Sequence, residues 1–110
     1  MNALLVVLGA AVGAPLRYAV AHLLDDRWPT GTLLVNAVGA GLFGLFAALS
    51  LGDQGWALLG TGFCGAFTTF SSFAVQAVDR PARAAAAYVV ATTLLAVGGC
   101  ALGWVLGSSL

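Results

Sequence analysis

Long apolar runs, cut by short clusters of charge, set the pattern of this chain. Apart from Arg17, charged residues stand only at Asp25, Asp26 and Arg27, at Asp53, and at Asp79, Arg80 and Arg83. Between the clusters lie four apolar blocks: Ala3 to Leu24, Trp28 to Gly52, Gln54 to Val78 and Ala84 to Leu110. At about 1.5 Å per helical residue, each block is long enough to cross a hydrocarbon core of about 30 Å. The pattern predicts an all-α membrane protein: a single domain over residues 1–110 with four transmembrane helices at approximately 3–24, 29–52, 54–78 and 84–107.

Loop chemistry agrees with this segmentation. Trp28-Pro29-Thr30-Gly31 reads as an interfacial Trp followed by a proline near the first turn of helix two. Asp79 and Pro81 separate helices three and four, and Trp56 and Trp104 stand near span ends, as an aromatic belt requires. Ala19-Val20-Ala21 has the small-residue spacing of a signal-peptide cleavage site, yet no Lys or Arg precedes the apolar run, so the block is read as helix one. Gly99, Gly103 and Gly107 repeat every four residues and predict a close-packing face on helix four; Gly9 and Gly13 form a shorter version on helix one.

Composition narrows the functions. Of 110 residues, 61% are hydrophobic and 7% charged, with a net charge of zero and no lysine. No basic patch invites nucleic acid. No Asp or Glu lies within an apolar block, which disfavours proton-coupled antiport. The chain has no cluster of His, Cys, Asp and Glu for a transition metal, no phosphate-binding glycine loop, and no nucleophile with a base and an orienter, so an enzyme is not expected. Cys64 and Cys100 lie inside spans and read as small apolar residues rather than a disulfide.

The informative stretch is Gly65-Ala66-Phe67-Thr68-Thr69-Phe70-Ser71-Ser72-Phe73, which puts four hydroxyls near the middle of the third span. Polar groups in hydrocarbon must find partners, so a glycine followed by clustered Thr and Ser predicts a helix broken near mid-membrane and lining a polar cavity. Asn36, Thr68, Thr69, Ser71, Ser72, Tyr88, Thr92 and Thr93 supply neutral donors suited to an anion. Phe67, Phe70 and Phe73 recur every three residues, and an aromatic ring is electropositive at its edge. Four packed helices leave little room for a pore within one subunit, so a pathway is expected between subunits.

Each feature also has a plainer reading. A Phe stripe packs, Asn36 ties two helices together, and Thr or Ser bonds back to the preceding turn. Tyr88 anchors at the interface, and Arg17 either snorkels toward the headgroups beyond His22 or stands at a pore mouth. On the residues alone two functions stay open: an ion pathway, or a small structural tetraspan whose polar groups serve only assembly.

Three motifs then add a family. Gly13-Ala14-Pro15-Leu16-Arg17-Tyr18, Gly31-Thr32-Leu33-Leu34-Val35-Asn36 with Gly39 and Gly44, and Gly62-Phe63-Cys64-Gly65 running into the stretch above resemble, in order, motifs of the fluoride channels known as Fluc or CrcB. Pro15 departs from the first motif, and Ser72 stands where the family often has Thr. The resemblance implies a fluoride-specific channel in the plasma (inner) membrane, a multi-pass protein assembled among lipid as an antiparallel, dual-topology dimer. It implies a fluoride pathway at Asn36, Phe70, Phe73, Thr69, Ser71, Ser72, Tyr88 and Thr92. It further implies a structural sodium ion at the dimer interface, held by backbone carbonyls of Gly65 and Thr68. Fluoride that enters as the neutral acid ionises and is trapped; a passive pore lets an inside-negative potential expel it, at about 2.3 kcal/mol per charge per 100 mV.

Orientation is less symmetric than dual insertion requires. Arg27, Arg80 and Arg83 fall in the two loops on one side, against no Lys or Arg on the other, which favours those loops on the cytoplasmic face. An antiparallel homodimer is the expectation, with a heterodimer of this chain and an oppositely oriented homologue as the alternative.

Overall fold

The computed structural model describes residues 2–26 and 28–110. Met1 and Arg27 lie outside the described residues, and with Arg27 one of the three arginines counted for orientation. Four helical stretches are long and apolar enough to cross a membrane: Ala3–Leu24, Thr30–Ala48, Gly52–Val78 and Ala82–Ser108. The long dimension of the molecule, 43 Å, matches a bilayer with its headgroup regions.

Helix α1 spans Ala3–Leu24 and starts at Asn2, whose Oδ1 accepts the Leu4 and Leu5 N–H groups at 3.0 and 3.4 Å. It continues through Pro15. Asp25 joins α1 to α2 (Thr30–Ala48) from both sides. Its N–H closes α1 on Ala21 O at 2.8 Å, and its Oδ1 accepts Thr32 N–H at 2.9 Å in the first turn of α2. A carboxylate at that position also meets the positive end of the α2 dipole. Pro29 sits immediately before α2 and accepts Leu33 N–H through its carbonyl at 2.9 Å.

The second connection falls just ahead of Asp53, the single charge that marked this boundary in the sequence. Ser50 takes φ of 54° and Gly52 takes φ of 80°, and these two left-handed residues, with Leu51 between them, reverse the chain within a few residues. The third span then comprises α3 (Gly52–Gly55), a π-helical segment (Trp56–Cys64), α4 (Gly65–Phe67) and α5 (Ser71–Val78). Pro81 precedes α6 (Ala82–Ser108) and accepts Ala85 N–H at 2.8 Å.

Glycines set the packing, in two pairs of elements. A side chain on Gly44 would overlap the Cys100 carbonyl, and one on Gly103 would overlap the Gly41 carbonyl. Thus α2 and α6 meet backbone to backbone along the face that carries Gly99, Gly103 and Gly107. Gly9, Gly13 and Gly62 do the same between α1 and the π-helical segment, with the Phe63 carbonyl 2.5 Å from where a Gly13 Cβ would lie. The interior is accordingly small and mostly apolar, with Thr32 and Thr92 its buried polar side chains and Thr32, Val35 and Tyr88 the largest fully buried side chains among the described residues. Leu23, Val78 and Leu94 are among many apolar side chains facing outward, the distribution a lipid solvent selects.

Candidate functional site

The site is built where the third span leaves the helical conformation. Nine residues, Trp56–Cys64, are wound as a π-helix, a form that elsewhere occurs mostly as single turns and often at functional positions. Trp56 lays its ring over Gly60, where any side chain would collide with it, and meets Phe43 edge-on at 5.1 Å. The winding tightens into α4, and at Thr68 the backbone turns extended, with φ of −85° and ψ of 161°. Helical geometry resumes at Ser71.

An interrupted helix exposes carbonyls at one end and N–H groups at the other, each costing several kcal/mol in hydrocarbon if left alone. Nearby groups answer several of them. Cys64 O accepts both Thr68 N–H at 3.1 Å and Thr68 Oγ1 at 2.9 Å. Ala66 O accepts Arg17 Nη1 at 3.2 Å, so Arg17 is spent on the end of α4 and does not extend to the headgroups. Asn36 on α2 clamps Thr69 with both ends of its amide: Oδ1 accepts Thr69 N–H at 2.8 Å and Nδ2 donates to Thr69 O at 3.0 Å. That pairing needs one donor and one acceptor on a short, planar group, which Asn provides. Thr69 Oγ1 then accepts Ser72 N–H at 3.2 Å, capping α5, and lies 3.4 Å from Ser71 Oγ. Among the described residues, no hydrogen bond reaches the carbonyls of Gly65 and Thr68.

Beside the interruption opens a cavity of about 690 Å³ between α2, the third span and α6. Asn36, Gly65, Thr68, Thr69, Phe70 and Phe73 line one side of it; Thr92 and Thr93 line the other. Thr92 is 8% exposed, and its Oγ1 is buried with no hydrogen-bond partner. Ser71 and Ser72 do not line this cavity; together with Gln76 they border a shallower depression of about 300 Å³. Tyr88 is buried behind Phe73 and donates its hydroxyl to Gln76 Oε1 at 3.1 Å, rather than anchoring at the membrane surface. Arg17 lines neither opening.

The Phe residues do not form one stripe. Phe67, still helical, is buried and stacks on Phe63 at 5.4 Å. Past the turn at Thr68, Phe70 swings outward and is 79% exposed, while Phe73 tilts against both Phe70 at 5.9 Å and Tyr88 at 5.2 Å. A period of three holds only in an unbroken helix, and here the backbone changes direction between the first ring and the other two. The clamp on Thr69, the Arg17 bond and the Asp25 cap were beyond the sequence pattern. Asp25 carried the one available signal, an acidic residue just ahead of a helix start.

Four apolar spans enclosing neutral polar groups define a multi-pass membrane protein, and the comparisons with known proteins say of which kind. Residues 4–107 match the family described as CrcB-like protein, Camphor Resistance (CrcB). The chain is 43% identical over 114 residues to "Fluoride-specific ion channel FluC 2" of Rhodococcus jostii (strain RHA1), covering 98% of this chain and 100% of that protein. It is similar, at 42% over 111 residues, to "Fluoride-specific ion channel FluC 2" of Parasynechococcus marenigrum (strain WH8102), covering 97% and 81% respectively. At 41% over 120 residues it also matches "Fluoride-specific ion channel FluC 1" of Frankia casuarinae, covering 94% and 93%. The chain belongs to the CrcB-like family, whose matched members are named as ion channels and not as enzymes.

Proposed function

We propose that this protein is a fluoride-specific channel that exports fluoride passively down its electrochemical gradient. The observation that carries the reading is the Thr68 to Phe70 turn, pinned by Asn36 and opening onto a cavity of neutral donors and ring edges. The names of relatives that align over nearly the whole chain point to the ion. The unpartnered Thr92 Oγ1 costs stability in the isolated subunit and adds nothing to helix assembly, which favours a pathway over a structural tetraspan.

The path runs past Phe70, Phe73, Thr69 and Thr92, with Asn36 holding the turn. Ser71, Ser72 and Tyr88 flank it, and Arg17 braces the end of α4 from the side where a pore mouth would stand. Weak neutral ligands suit conduction, since the ion must leave as readily as it enters. In liposomes, purified protein is expected to release fluoride and to leave chloride trapped. Retention of both ions would overturn the reading.

The assembly is an antiparallel dimer in the plasma membrane, either of two identical chains or with an oppositely oriented homologue. Two observations support a partner at this face: Phe70 is exposed, and Gly65 has open space where a side chain would go, although packing within the chain gives no reason for a glycine there. A sodium ion fits the same place. A hard monovalent cation takes oxygen ligands, and the Gly65 and Thr68 carbonyls, like that of Phe67, accept no hydrogen bond among the described residues. A structure of the assembled protein in lipid is expected to show opposed subunits with a cation density between the two turns; parallel subunits, or an empty midline, would remove the respective part.

A further inference from the structure

All four spans converge on one polar cluster behind the cavity wall, with Thr32 and Tyr88 buried and Asp25 and Gln76 half-buried. Asp25, at the end of α1, accepts Thr32 N–H on Oδ1 at 2.9 Å, and on Oδ2 accepts Thr32 Oγ1 at 2.8 Å and Gln76 Nε2 at 3.2 Å. Gln76 Oε1 in turn accepts the Tyr88 hydroxyl at 3.1 Å. The order of donors is forced. A carboxylate only accepts, so the Gln76 amide must face Asp25 with its nitrogen and Tyr88 with its oxygen. The phenol has a single proton, and that proton is given to Gln76.

Two consequences follow for the cavity. Tyr88 has no proton left to offer an anion, and its ring, fully buried, is held at 5.2 Å and 48° to Phe73. Phe73 lines the cavity; Tyr88 and Gln76 do not. The Arg80 guanidinium lies 5.8 Å from the same Tyr88 ring and 5.5 Å from that of Trp28, closing the cluster on its outer side.

We propose that Asp25 and Gln76 are positioning residues, whose carboxylate–amide pair turns the Tyr88 proton away from the ion path and sets the Tyr88 ring as the backing for Phe73. Its bearing on fluoride rests on the channel reading above; the hydrogen-bond direction does not. Tyr88 thus serves the path through its ring, and the hydroxyl groups that α6 brings to the cavity are those of Thr92, one turn away, and Thr93.

The pair can be inverted without moving an atom, and that provides the test. In the double variant Asp25→Asn with Gln76→Glu, the amide at 25 keeps its oxygen for Thr32 N–H and donates to the carboxylate at 76. The Thr32 hydroxyl rotates to accept, and Tyr88 donates as before. Gln76→Glu alone sets two carboxylates against each other. With assembly of every variant checked by size-exclusion chromatography, fluoride efflux from liposomes is expected to fall at least about tenfold in Gln76→Glu and to recover to within about threefold of the parent in the double variant.

A second readout follows the proton itself. In protein labelled with carbon-13 at tyrosine Cζ, with Tyr18 assigned through Tyr18→Phe, the Tyr88 resonance is expected to move in Asp25→Asn, where the Gln76 amide turns over and Tyr88 becomes an acceptor. In the double variant it is expected to move in the opposite direction, because the phenol there donates to a carboxylate in place of an amide oxygen. An unmoved resonance in Asp25→Asn, or a double variant no better than Gln76→Glu while the parent conducts, overturns the proposal. A parent that carries no fluoride defeats the channel reading instead, and the tyrosine resonance still decides the direction of the bond.

Discussion

Asn36→Asp is expected to abolish fluoride efflux, and two separate effects of the one substitution add up to that result. The first is local. The amide nitrogen that donates to Thr69 O becomes an oxygen, so an acceptor faces a carbonyl 3.0 Å away while the Thr69 N–H bond on the other side is kept. Leaving a buried acceptor without its donor costs about 1–3 kcal/mol, and more when the group is charged. The second is long-range. A fixed negative charge about 4 Å from a passing anion raises its energy by about 4 kcal/mol at an effective dielectric of about 20, close to three orders of magnitude in rate. Asn36→Ala separates the effects, because it removes both bonds to Thr69 and adds no charge. Efflux from liposomes and thermal denaturation, measured on both variants, are expected to show comparable destabilisation and a far deeper loss of flux for Asp. Wild-type flux in Asn36→Asp would withdraw Asn36 from the path and leave it as a clamp on the third span.

The four spans could be read from the sequence because lipid leaves the chain few choices. Charge clusters mark where the solvent changes, and the glycine spacing of Gly99, Gly103 and Gly107 marks where another backbone comes close, which α2 does. The turn between α2 and α3 had only the single charge of Asp53 to mark it, and its exact place is set by backbone conformation at Ser50 and Gly52, to which hydropathy is blind. The site shows the same division. Thr68, Thr69 and Asn36 announce a polar need at mid-span, yet which of them meets which is decided by tertiary geometry. Arg17 and Ala66, Asn36 and Thr69, and Asp25 and Gln76 are each brought together from far apart in the chain. The π-helical winding of Trp56–Cys64 has no periodic signature that hydrophobic spacing over nine residues would reveal. The Phe spacing misled for a related reason: a period counts residues, and the turn at Thr68 resets the count.

Phe70→Ile and Phe73→Ile are expected to lower fluoride efflux by at least about tenfold each, which needs only about 1.4 kcal/mol of lost ion–ring interaction at the barrier. Their stabilities should part company. Phe70 is 79% exposed within the subunit, so its replacement removes almost no packing from the fold. Phe73 touches both Phe70 and Tyr88, and losing an aromatic pair of that kind costs about 0.5–1.5 kcal/mol beyond the buried area. A packing role would make flux follow stability, leaving Phe70→Ile active and Phe73→Ile impaired. An ion-contacting role predicts loss in both, with a lowered melting temperature only in Phe73→Ile. Because Phe70 also faces the proposed partner, crosslinking of each variant in the membrane must show the dimer at parental yield before the fluxes are compared. Phe70→Ile that assembles, melts like the parent and conducts like the parent would assign the ring to the lipid or the interface and take it out of the path.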